Sequence, residues 1–343
     1  MFPRSDSKGG RYAWLDVGRI DTTDDRCVKD VSSVERKIEN MKYNYSRNVR
    51  QDEQLRASFN ELTQKVYGFN FIDWYQKGYW SDKYIPHVLV DNGKVISNVS
   101  VNLMKFEVNG EIKNYIQLGT VMTDPDYRGQ GLNKYILERI LEEYEGKVDG
   151  FYLFGNDSVL EYYPKFGFRP IQEYEYSLKL RREAVTDGEM SGYQVVKVDL
   201  SDQNACERLY QVIQKYDAGN KEHNPNDSFS MYDNLGLYQF CLAEEYKESV
   251  YYLPDIEAYV IADFKSGILN VYQIISKSAI DMEQFAVSLN GDITEIKLWF
   301  TPTNKDEYEV GLHKVEDSTL FIIGESLEQV ETEKRMFSVI SHA

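Results

Sequence analysis

The sequence predicts an α/β (α+β) protein: a mixed, mostly antiparallel sheet flanked by helices, followed by a second α/β domain of similar element order. Three observations predict it. Asn92-Gly93 and Asn109-Gly110 each separate β-rich runs at hairpin spacing. Residues 132–145 place apolar side chains three and four apart, directly behind a glycine-containing turn. The same order of strands and helices then returns beyond residue 192. At 343 residues the chain is long enough for two domains of ordinary size, and its 42% apolar content can fill a core.

Residues 1–40 are polar and aperiodic and read as an N-terminal extension that the fold does not require. Met41 opens MKYNYSRNV, the expected start of a first domain running to 181. Residues 51–66 predict a helix, with Leu55, Phe59, Leu62 and Val66 on one face. FNFIDWYQKGYW (69–80) has two readings, a second helix packed on the core or an aromatic lid over a substrate. Residues 86–122 predict a three-stranded antiparallel meander around the two Asn-Gly turns. TDPDYRGQG is a turn, and the helix after it aligns Leu132, Ile136 and Ile140. FYLF (151–154) predicts a buried strand, DSVLEYYPKF a short helix stopped near Gly167, and RPIQEYEYSLKL a last strand or hairpin.

Residues 182–192 are polar, contain Gly188 and Gly192, and read as a linker. Over 193–343, VVKVDL predicts a strand and ACERLYQVIQKY a helix. β-rich runs follow at 256–263 and 268–275 around Lys265-Ser266-Gly267, then a helix at AIDMEQFAVSL and strands at EIKLWF and TLFIIG. This half reads as a degenerate repeat of the first that lacks the RGQG turn.

The formal net charge of −17 argues against nucleic acid, whose phosphates need clustered Lys and Arg. It suits a cationic acceptor, or serves solubility alone. Cys27, Cys206 and Cys241 form no CxxC pair, and His87, His223, His313 and His342 are scattered, so neither a disulfide framework nor a metal site is expected. No stretch has the roughly 18 apolar residues of a membrane span, so a soluble, cytoplasmic protein without a membrane partner is expected.

The chemistry concentrates in VMTDPDYRGQGLN, residues 121–133. Strand, Arg-Gly-Gln-Gly, then helix is a layout for binding an anion. A helix N-terminus offers unpaired amides and partial positive charge, and glycine lets backbone approach an oxygen closely. YRGQGLN in this setting resembles the Arg/Gln-x-x-Gly-x-Gly/Ala signature of the GNAT acyltransferases. Asn156, Tyr163, Gly167 and Phe168 form a second matching segment, beginning 28 residues after Arg128. The resemblance covers residues 41–180, with one departure: Asn133 stands where the family usually has Gly or Ala.

The resemblance implies acetyl-coenzyme A as co-substrate and a primary amine of a small molecule or peptide as acceptor. It places the pyrophosphate on Arg128, Gly129, Gln130, Gly131, Leu132 and Asn133. It pairs the backbone of Val121, Met122 and Thr123 with the pantetheine arm, a main-chain amide there polarising the thioester. Tyr163 becomes the acid that protonates the departing sulfur, although its ring could instead only pack under the loop. Asn156 either touches the cofactor or caps the next helix. No general base is assigned: Gln117 cannot accept a proton, and Asp124 and Asp126 are expected to be solvated in the turn. A non-catalytic acyl-coenzyme A sensor or scaffold is the alternative reading.

Overall fold

The computed structural model describes residues 43–180, 192–217, 224–289 and 291–342. The expected extension and nearly all of the expected linker lie outside the described residues. β1 (Asn44–Ser46) leads into α1 (Glu53–Tyr67) and the short α2 (Ile72–Gln76). α1 starts where Asp52 accepts from the Leu55 amide at 3.0 Å, and it stops at Gly68, which is left-handed at φ 81°. The expected meander is β2 (Tyr84–Asp91), β3 (Lys94–Val108) and β4 (Glu111–Thr123). Both Asn-Gly pairs have positive φ at both positions, the conformation a two-residue hairpin turn needs. α3 (Leu132–Tyr144) then crosses over to β5 (Gly150–Gly155), which runs parallel to β4.

The segment expected to end the first domain divides into β6 (Arg169–Ile171) and β7 (Glu173–Lys179), and the two strands belong to different sheets. Beyond it come β8 (Val196–Lys197), α4 (Gln203–Asp217), β9 (Met231–Tyr232), α5 (Leu235–Glu244), β10 (Val250–Leu253), β11 (Ala258–Lys265) and β12 (Ile268–Ile275). The chain continues through α6 (Met282–Ser288), β13 (Glu295–Leu298), β14 (Glu309–His313) and β15 (Thr319–Ile323).

The first sheet has the order β1-β2-β3-β4-β5-β15-β6, and the second, read from its other edge, β8-β10-β11-β12-β13-β7-β14. The sheets correspond strand for strand. In each, the fourth and fifth strands are parallel and joined through a helix, and the other neighbours on these paths run antiparallel. Each also takes its sixth strand from the other half of the chain: β15 pairs with β5 and β6, and β7 pairs with β13 and β14. The strand expected at TLFIIG forms, but it completes the first sheet.

Alternation within the strands assigns side chains to layers. On β5, Phe151 and Leu153 join the core under α3, while Tyr152 and Phe154 point into a core shared by both halves. In that shared core Tyr152 stacks on Phe337, with ring centroids 4.2 Å apart, and Phe106 stacks on Phe229 at 4.8 Å. Five of the eight residues of β11 are buried, as a central strand covered on both faces requires.

Candidate active site

The ladder between β4 and β5 is short. It pairs Tyr115, Ile116 and Gln117 with Gly150, Phe151 and Tyr152 and goes no further. Beyond it, β4 from Leu118 to Thr123 has β3 as its one ladder partner, and β5 from Leu153 to Gly155 has β15, among the described residues. Two facing strand edges are thereby left open, a place where an extended chain of hydrogen-bonding groups can enter.

The opening is accompanied by a β-bulge. Asn98 pairs with Met122 and Ser100 with Gly119, so Val99 alone faces both Thr120 and Val121. Thr120 sits at φ 47°, a left-handed conformation that a β-branched residue adopts only under constraint. The constraint is visible. Asn98 Nδ2 donates to the Thr120 carbonyl at 2.7 Å, and the Tyr84 hydroxyl lies 2.8 Å from Thr120 Oγ1. Tyr67 donates to the Val121 carbonyl at 2.6 Å, and Ser100 ties back to Tyr84 at 2.9 Å. The signal for this network is the run Ser97, Asn98, Ser100, Asn102, polar and buried within a strand of otherwise apolar core positions. Sequence reasoning assigned no role to these residues, nor to Tyr67 and Tyr84.

The turn after β4 is anchored from below. Asp124 was expected to be solvated, but it is fully buried and ion-paired to Lys65 and Lys94, each at 2.7 Å. Burial alone would push its carboxyl up; the two ammonium groups and the Asp126 amide outweigh that and hold it down at about 2. Asp126 is exposed, as expected. Tyr127 donates to Asp91 at 2.8 Å and pins the turn to the first hairpin.

Gly129 and Gly131 are both left-handed, at φ 75° and 74°, a conformation glycine adopts without steric penalty. Gly131 caps α3 without any side-chain bond, so the first amides of the helix have no side-chain capping partner. The Nε of Arg128 is buried and unpartnered. Gln130 accepts from the Tyr43 hydroxyl at 3.2 Å. Leu132 points into the core beneath the helix. Asn133 also turns inward: its Oδ1 accepts from Ser97 Oγ at 2.5 Å, which leaves its backbone amide as the group available to an anion.

Tyr163 begins a 3-10 turn, Tyr163–Phe166, that ends at left-handed Gly167. Its ring packs on Phe168 and Phe321 and passes over Gly155, where a Cβ would meet Tyr163 Cε2 at 3.3 Å and Val159 Cγ2 at 2.8 Å. Its hydroxyl is buried without a partner, and burial pushes the phenol well above its usual range, with Tyr162 and Tyr67 adding to the effect. Tyr162 is buried beside it. Asn156 caps the next turn by accepting from the Ser158 amide at 3.1 Å. Gln117 is buried in the sheet opposite Tyr152.

A narrow, ring-lined cavity adjoins the bulge. Tyr84, Asn102 and Thr120 line it from the first sheet, Trp74 from α2, Phe240 from α5, and His342 near the end of the chain. The segment 69–80 packs on the core, the first of its two readings. Phe71, Trp74 and Trp80 pack into a buried aromatic cluster, and Phe71 and Trp74 also wall the cavity. α5 comes from the second half of the chain and is held by Trp74 Nε1, which donates to the Gly236 carbonyl at 2.9 Å. Among the described residues no group of three or more His, Cys, Asp or Glu could hold a metal ion, and no helix is long and apolar enough to cross a membrane.

The family described as the acetyltransferase (GNAT) domain matches residues 47–171. A curated relative, named a putative glycylpeptide N-tetradecanoyltransferase of Melanoplus sanguinipes entomopoxvirus, is 25% identical over 83 residues, which is 24% of this chain and 28% of the relative. The chain therefore spans under a third of the curated relative it matches. Among solved structures, a protein of unknown function from Enterococcus faecalis, described as a probable N-acyltransferase, aligns at a TM-score of 0.56 and 14% identity, over 85% of this chain and 74% of that one. A GCN5-related N-acetyltransferase from Anabaena variabilis aligns at 0.51 and 13% identity, over 82% and 72%. One from Kribbella flavida aligns at 0.50 and 14%, over 82% and 71%. At such identities these structures show the fold alone, and their coverage extends over both halves of the chain.

Proposed function

We infer that this chain, whose residues 47–171 match the acetyltransferase (GNAT) domain, transfers an acetyl group from acetyl-coenzyme A to a primary amine of a small molecule or peptide. One observation carries the reading. The open edge between β4 and β5 ends at two left-handed glycines and a helix start without a side-chain cap, with two buried polar atoms beside it, Arg128 Nε and the Tyr163 hydroxyl, that have no hydrogen-bond partner among the described residues. A buried donor without a partner is costly, and an incoming anion and thioester sulfur would satisfy both.

Acyl-coenzyme A supplies the activated thioester. In this reading the amides of Gly129 to Asn133, with Arg128, hold its diphosphate. The backbone of Val121, Met122 and Thr123 pairs with the pantetheine arm. The Val121 amide, presented by the bulge, donates to the thioester carbonyl, where negative charge grows during attack. The amine nitrogen bonds to the carbonyl carbon, the carbon–sulfur bond breaks, and Tyr163 gives its proton to the sulfur. The amine releases one proton to water, and the phenolate regains one. Asn156 supports the segment leading to Tyr163 through its cap. A cytoplasmic location fits this co-substrate and the free thiols of Cys206 and Cys241.

Free thiol should appear when the protein is mixed with acetyl-coenzyme A and an amine panel, and the run should be repeated with longer-chain donors. Saturable binding of the coenzyme with no thiol release from any pair would instead favour an acyl-coenzyme A sensor.

A further inference from the structure

The cavity beside the bulge has an unusual inventory of polar groups. Its walls are dominated by rings, including Phe69, Phe71, Trp74, Tyr84 and Phe240. Lys83 in its lining is already ion-paired with Asp233 at 2.7 Å. Glu245 is the one carboxylate in its lining, and it is half-buried. Two lining residues hold buried polar atoms with no partner: the Nδ2 of Asn102, a donor, and both ring nitrogens of His342. His342 lies nearly flat on Phe154, ring centroids 3.9 Å apart, one residue before the glycine over which Tyr163 packs.

The titratable groups that share cavities with that imidazole are Cys241, Glu245, Lys83 and the phenols of Tyr67, Tyr84 and Tyr246 on this side, and Asp157, Glu173, His313, Lys314, Glu316 and Asp317 in the neighbouring polar cavity that His342 also lines. Burial pushes His342 down to about 3, with His313 acting in the same direction and a backbone contact at Phe337 opposing it, so it stays neutral at working pH. A neutral imidazole keeps one lone pair, and none of the described residues donates to it.

The consequences for an acceptor follow from desolvation. An ammonium entering a ring-lined cavity gives up its hydration, and the aromatic faces return only part of that. A sugar-like or multiply aminated acceptor leaves several donors unpaired against apolar walls. A neutral primary amine on an apolar body buries that body against the rings and needs few polar partners. We propose that the acceptor is a primary amine on a slim apolar body, bound uncharged, with a ring nitrogen of His342 accepting one of its N–H groups. That bond would leave the nitrogen lone pair free for the thioester carbon. The proposal rests on the acyltransferase reading above, and it departs from the cationic acceptor that the net charge suggests.

The test uses the full chain with acetyl-coenzyme A, following free thiol. The kcat/KM for 2-phenylethylamine and hexylamine should exceed that for spermidine and kanamycin by about tenfold or more, and should rise with pH along each amine's own titration. His342→Phe keeps the ring stack and removes both nitrogens. It should raise the amine KM about tenfold and leave the acetyl-coenzyme A KM unchanged, with His342→Gln as the second variant should the first fail to fold. Preference for spermidine or kanamycin overturns the proposal, as does an unchanged amine KM in the variant. Coenzyme binding by calorimetry with no thiol release from any amine overturns the acceptor proposal while the cofactor site stands. Absence of any binding heat removes the acyltransferase reading beneath it.

Discussion

Tyr163 differs from the tyrosines that hold the bulge in what its hydroxyl lacks. Tyr84 bonds Ser100 and Thr120, and Tyr67 bonds Val121, whereas the Tyr163 hydroxyl is buried with no partner. Tyr163→Phe should lower kcat roughly 100-fold, the usual size of a general-acid contribution, with little change in thermal midpoint. Stopped assays beside circular dichroism check both, and full turnover in a folded variant would remove the role. Gly155→Ala should act on the same group from the other side, since its methyl would push against Val159 and the Tyr163 ring. Asp124 makes a pH prediction. Its folded-state value is depressed from 3.8 to about 2, so its contribution is fully present above pH 4 and is lost as pH falls from there toward 2. That contribution is on the order of 1–2 kcal/mol once screening at the half-exposed lysines is allowed for. Asp124→Asn should therefore lower the urea midpoint at pH 7, and the gap should narrow at pH 3. A gap that is equal at both pH values would contradict the ion-pair account.

At the scale of elements, the meander, the helix after the loop and β5 were legible because each obeys a local rule. Asn-Gly turns fix two-residue hairpins, and Leu132, Ile136 and Ile140 repeat at helical spacing. The motif residues were legible for the same reason, since the two glycines and the helix start are neighbours in sequence. The bulge was not. Its strain at Thr120 is held by Tyr67, Tyr84 and Asn98, which come from one helix and two strands, and no period in the sequence joins them. The buried Asp124 was misread because a turn carboxylate is ordinarily solvated, and nothing local shows that Lys65 and Lys94 converge on it. Removing one bond of the bulge network should separate position from binding. Tyr67→Phe should lower kcat several-fold while the acetyl-coenzyme A KM changes little, because it frees the Val121 carbonyl without touching the glycine loop. Equal changes in both parameters would show that Tyr67 contributes to general binding instead.

Over the whole molecule, the halves are tied by exchange of their sixth strands, so neither sheet is complete from its own half. The sequence showed the strand at TLFIIG but not its sheet, because pairing across that distance is decided by packing. A chain ending at residue 190 would lose β15, leaving β5 and β6 with unpaired edges and Phe321 absent from the ring of Tyr163. Such a truncation should aggregate, which light scattering would reveal; a soluble, cooperatively unfolding fragment would show that the first sheet closes without β15. The second half also supplies α5, so the ring-lined cavity is complete only in the joined molecule. All of this converges on one claim, that a diphosphate is seated on the amides at the start of α3. Calorimetric titration of the full chain with coenzyme A measures it directly. The account predicts saturable binding near one equivalent, at least about tenfold weaker in Gly131→Val, where a β-branched side chain is forced into a left-handed position. No heat with the natural chain, or equal affinity in the variant, would contradict it.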